Sequence, residues 1–168
     1  MVVGGPPLSR RNAMLNDVFT MRRMLIMGLT GLAGWASPAD AGLFSSTGPV
    51  IAIFAGELFL GEAEGNLDGS GTIRIQSSTK PDVTCRGQFT SSAKLGGAGS
   101  LLCSDSATAT IQFQRLSIWR GYGTGNSSRG PMSFTYGLSA KESEPYLKLP
   151  PGKALRLDGK VLVLVDVR

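Results

Sequence analysis

The chain has 168 residues, about the length of one domain, with a net charge of +5, 17% charged residues and 23 glycines. The glycines follow no G-X-Y period and alternate with apolar runs, which excludes a collagen-like chain and argues against a disordered one. Residues 1–41 hold four of the arginines and two aspartates, so the remainder is nearly balanced at +3 with no Lys/Arg cluster, and no nucleic-acid partner is expected.

The first predicted element is a signal-peptide helix. Arg22 and Arg23 precede an apolar run from Met24 to Trp35, too short for a permanent membrane span. Ser37 and Pro38 break the run, and Ala39 and Ala41 supply the small residues of an A-x-A cleavage pattern. Cleavage after Ala41 is expected to leave a chain beginning at Gly42. Met1, Met14 and Met21 are alternative starts, and a complete signal would begin at Met21. Ser9-Arg10-Arg11 resembles a twin-arginine export signal, but its apolar run lies far downstream. No cysteine stands near Ala41, so neither a lipobox nor a permanent membrane anchor is expected. The chain therefore reads as a 1–41 extension and signal peptide followed by a single exported β domain over 42–168, periplasmic or secreted.

Beyond Gly42 the hydropathy pattern has period two. Residues 50–54 begin an apolar strand that 57–60 continue. Asp68-Gly69 reads as a tight hairpin turn with positive φ angles before 72–76, where Ile73 and Ile75 share a face. Lys80-Pro81-Asp82 is the next break, since proline removes a ladder donor. Strands are expected over 84–90, 99–103, 108–115 and 131–136. Residues 141–148 form a short helix or an extended connection, ended by Pro150-Pro151-Gly152, and 155–165 form a hairpin about Asp158-Gly159. A glycine-rich stretch leads into an alternating apolar strand three times: 61–65 to 72–75, 97–99 to 110–113, and 121–125 to 132–136. The expected fold is all-β, a small antiparallel sandwich or barrel built of glycine-rich hairpins.

Cys85 and Cys103 are the only cysteines and both lie in the exported part, which reads as one disulfide. With no histidine in the chain and no C-x-x-C spacing, neither a zinc site nor a redox pair is expected. Cys85-Arg86-Gly87-Gln88-Phe89, Gly97-Ala98-Gly99, Cys103-Ser104-Asp105, and Gly121-Tyr122-Gly123-Thr124-Gly125 with Ser133-Phe134-Thr135-Tyr136-Gly137 resemble a group of small exported proteobacterial proteins. The resemblance implies a disulfide-bridged β domain of unknown activity and carries no catalytic residue across. The group often has glycine after Ser-Asp, where this chain has Ser106.

The remaining motifs are weak as chemistry. Gly121, Gly123 and Gly125 fail the phosphate-loop pattern, since no Gly-Lys-Ser/Thr follows and both flanks read as strands. Glycines two apart share one sheet face, where a missing side chain permits close packing. Ser77-Ser78-Thr79-Lys80 and Ser91-Ser92-Ala93-Lys94 match S-x-x-K without its partner motifs. A Ser-His-Asp or Cys-His site needs a histidine. Carboxylate pairs among Glu57, Glu62 and Glu64 stay available for acid–base work. Trp119, Arg120, Tyr122 and Arg129 are the candidate ligand-binding residues, by stacking and charge-assisted hydrogen bonds. The expected function is a non-enzymatic exported binding or envelope-associated module, with no catalytic residue and no cofactor. The alternative is a small carboxylate-dependent hydrolase acting on envelope glycans.

Overall fold

The computed structural model describes residues 45–92 and 95–167; the expected signal-peptide helix and the cleavage positions Ala39, Ala41 and Gly42 lie outside them. Eight strands follow one another: β1 Ser45–Phe54, β2 Glu57–Asn66, β3 Ser70–Ser77, β4 Thr84–Ser92, β5 Gly96–Cys103, β6 Thr108–Ser117, β7 Arg120–Ser127 and β8 Gly130–Tyr136. Each pairs antiparallel with the strand before it, and β8 pairs back onto β1 from Val50↔Tyr136 to Phe54↔Met132. That last pairing decides between the two expected architectures. The sheet is a closed barrel in which every strand has a partner on both sides, with β1 meeting β8 along Val50–Phe54.

After β8 come a short helix α1 (Ala140–Ser143), a 3-10 turn (Glu144–Tyr146) and a hairpin of β9 (Lys153–Asp158) and β10 (Val161–Asp166). Leu147, Leu155 and Leu162 from this segment pack on Ile51, Ile53 and Leu58 outside the barrel. This explains the unbroken apolar run of β1. Val50, Ala52 and Phe54 face the barrel interior while Ile51 and Ile53 face the C-terminal cover, so both faces are buried.

The three glycine-rich recurrences are the hairpins β2–β3, β5–β6 and β7–β8. Two turns depart from the expected form. Asp68-Gly69 belongs to a three-residue loop in which only Gly69 has positive φ, at 86°, with its N–H bonded to the Asn66 carbonyl. In the C-terminal hairpin Asp158 pairs with Val161, so the turn is Gly159-Lys160, with Gly159 at φ 62°. A further hairpin lies inside the span read as one continuing strand. Phe54 pairs with Glu57 around Ala55 and Gly56, at φ 50° and 83°. Alanine is a poor sequence signal for such a turn because its Cβ disfavours this conformation; the Ala55 N–H bond to the Pro131 carbonyl holds it there. Ser106 also has positive φ, at 66°, so it adopts the backbone that glycine would take at that turn.

Helix α1 begins with a capping box. The Glu142 carboxylate accepts from the Ser139 N–H and hydroxyl at 2.9 and 2.7 Å and pairs with Arg120 on β7. The Ser139 bonds, backbone first, and then Arg120 hold the Glu142 carboxyl at about 2, against an ordinary 4.5. A depressed folded value means that this contribution is complete above pH 4.5 and is lost as the pH falls through about 2. Urea midpoints of wild type and Glu142→Gln should therefore differ by a constant amount near neutrality and converge in acid. A gap independent of pH would show that the carboxylate charge contributes nothing.

Candidate functional site

The barrel is narrow, and its inward positions alternate rings with glycines across the strands. Phe89 on β4 lies between Gly71 and Gly99; Phe113 on β6 lies between Gly97 and Gly123; Phe134 on β8 faces Gly123. A Cβ on Gly97 would come within 2.6 Å of the Phe113 Cζ, and one on Gly71 would collide with the Phe89 ring. Each glycine therefore makes room for a neighbour's ring, the cross-strand pairing that lets a glycine-rich sheet pack. Phe113 is the hub, edge-on to Phe89, Phe134 and Tyr136 at centroid distances of 5.5, 6.5 and 5.7 Å.

Strand direction alternates, so the hairpin turns divide between two ends. At one end Glu57 bonds Lys80 at 3.0 Å and Arg129 at 3.1 Å, and Arg129 reaches Asp105 at 2.5 Å. The Arg129 guanidinium lies 4.9 Å from the Phe54 ring centre and covers the aromatic bottom of the core. Burial pushes the Glu57 carboxyl up, but bonds from Lys80 and Thr79 and the charges of Lys80 and Arg129 outweigh it, and the net shift is downward. The cystine Cys85–Cys103 sits near this same end, one register step from Thr84.

The other end is built differently. Its turns present Leu67, Leu95, Ile118 and Trp119, all exposed. From Leu67, Ile118 and Trp119 a cavity of about 430 Å³ runs into the barrel to Phe89, Phe113 and Phe134, a size within the roughly 300–1,000 Å³ of small-molecule sites. Serine, threonine, Asn66 and Asp68 side chains also line it, but the buried polar atoms without partners belong to two residues. Arg115 on β6 and Tyr136 on β8 are separated in the sheet by Gly121, through the pairs Arg115↔Gly121 and Gly121↔Tyr136. A Cβ on Gly121 would strike the Tyr136 hydroxyl.

The Arg115 Nη2 donates to Ser91 Oγ at 2.5 Å, while its Nε and the Tyr136 Oη are buried with no hydrogen-bond partner. Among the described residues no carboxylate pairs with Arg115. Burial raises the Tyr136 pKa, opposed by the Arg115 charge, so the phenol keeps its proton at neutral pH and offers an O–H donor. Arg115 is partly buried, and a guanidinium N–H turned from water without an acceptor is unfavourable. Both atoms are left for an acceptor that enters the cavity, solvent or ligand.

The residues expected to bind ligand are not one group. Trp119 lies at the cavity mouth, whereas Arg129 belongs to the ion network at the opposite end. Arg120 turns outward to Glu142, and Tyr122 stacks on Tyr146 at 4.2 Å with its hydroxyl on Gln114. Sequence reasoning missed Arg115 and Tyr136. The available signal was a charge at the next step of the alternation Ala109, Ile111, Phe113, a position whose predecessors are all core. Gly121, Gly123 and Gly125 lie within strand β7, next to another strand rather than a helix. Compared with known proteins, the chain matches no family model, no curated protein and no solved structure.

Proposed function

We propose that the chain is an exported binding domain, periplasmic or secreted, which takes a small ligand into the open end of its barrel. The observation that carries this reading is the aromatic-walled cavity of about 430 Å³ holding two buried polar atoms without partners. The disulfide supports an oxidising compartment. No helix among the described residues is long and apolar enough to cross a membrane.

The hydrolase alternative needs paired carboxylates at the cavity. Glu57 belongs to the opposite end, Glu62 and Glu64 are exposed on β2, and among the described residues Asp68 is the one carboxylate in the lining. Binding is therefore the favoured reading. Protein purified from the cells that make it should begin at Gly42 by mass spectrometry, leaving Trp119 as its one tryptophan. Titration with a neutral apolar fluorescent probe should then change Trp119 emission saturably. Ala63 also lines the cavity, and Ala63→Phe should weaken binding at least tenfold while thermal unfolding stays cooperative. Unsaturable binding, or binding unaffected by the filled cavity, would overturn the proposal.

A further inference from the structure

We infer that the ligand is an amphipathic monocarboxylate, its carboxylate held by Arg115 and Tyr136 and its apolar body lying between the aromatic wall and the cavity mouth. The inference rests on the cavity being a ligand site and adds the chemistry of what fills it. A single guanidinium inside the barrel, without an ion-pair partner among the described residues, calls for one negative charge. A guanidinium N–H and a phenol O–H are both donors, which suits an acceptor-only group with two oxygens. Gly121 stands between the two side chains and adds no bulk of its own, so their polar ends share one region of the interior. Ser91, whose hydroxyl donates to the Gly69 carbonyl, fixes the far side of the guanidinium.

The inner wall of the cavity is apolar, while Asn66, Asp68 and Ser70 of the β2–β3 turn line it at the mouth. Phe89, Phe113 and Phe134 form the inner wall, and Leu67, Ile118 and Trp119 stand exposed around the mouth, which extends the apolar track beyond the cavity. At roughly 30 Å³ for each water-sized group, the volume admits on the order of a dozen non-hydrogen atoms. A ten-carbon carboxylate has that size. At the opposite end Lys80 and Arg129 are paired with Glu57 and Asp105 instead.

The test compares decanoate with decanol, equal in length and differing in the head, by calorimetry on the purified protein. Decanoate should bind at least tenfold more tightly. Arg115→Met should bring decanoate to the level of decanol while leaving decanol within about threefold, and Tyr136→Phe should remove part of the preference. Failure of both ligands to bind would overturn the cavity reading and this inference together. Binding of both with equal affinity would overturn the carboxylate inference alone, as would a preference that survives Arg115→Met in a folded variant. The wild-type comparison is decisive even where a variant folds poorly. Decanoate binding to Ala63→Phe distinguishes the interior from the outer surface: it should be weakened at least tenfold, and retention of tight binding in that variant would also overturn the inference.

Discussion

A valine at position 123 is expected to lower the melting temperature by on the order of 10 °C. Gly123 faces inward on β7 between Phe113 and Phe134, and its φ is not positive, so the demand for glycine is one of space. A Cβ there would collide with the Gln112 carbonyl oxygen and approach Phe134 Cζ to 2.6 Å. The first obstacle is backbone, which yields less readily than the end of a side chain. Overpacking of this kind costs about 1–3 kcal/mol, with the upper end expected for the larger valine, and a domain of this size loses roughly 3–5 °C per kcal/mol. Thr124→Val, one residue along on the exposed face, should change stability by no more than about 0.5 kcal/mol. Loss of nucleotide affinity in Gly123→Val at an unchanged melting temperature would instead support a phosphate-binding role for these glycines.

Replacing both Cys85 and Cys103 by alanine is expected to lower stability by about 3 kcal/mol, the chain-entropy value for a loop of this length. The two residues are 18 apart in sequence and directly opposite in register, with Cα atoms 3.8 Å apart. Ser104 donates its N–H to the Thr84 carbonyl, so Cys85 and Cys103 form the adjacent pair at which side chains approach most closely. Both sulfurs belong to the buried core of the barrel, so the double variant loses packing as well as the cross-link. Urea unfolding with and without reductant measures the effect. Equal midpoints for the oxidised and reduced protein would show that the bridge contributes nothing to stability.

The candidate site was the least legible feature in the sequence. Trp119 and Arg129 look like neighbours on either side of a glycine-rich stretch, yet β7 runs the length of the barrel between them and carries them to opposite ends. Arg115 and Tyr136 are farther apart in sequence and lie on strands that do not pair directly. They come together because β7 places Gly121 between them. Alternation assigns a side chain to a face; which faces enclose a common volume depends on register and closure.

By itself the sequence determined the period-two strands, most of their boundaries, the pairing of the glycine-rich stretches with the apolar strands that follow, and the chemistry excluded by the absence of histidine. These are local properties, set by alternation, turn residues and composition. Only the tertiary structure decided that the sheet closes, because the β1–β8 pairing joins segments more than seventy residues apart and leaves no local mark. It also decided why β1 is apolar on both faces, since the covering residues Leu147, Leu155 and Leu162 arrive from the far end of the chain. The polarity of the barrel was decided at the same level: antiparallel alternation sends Glu57, Lys80, Asp105 and Arg129 to one end and the exposed Leu67, Ile118 and Trp119 to the other, and leaves Arg115 facing an aromatic interior.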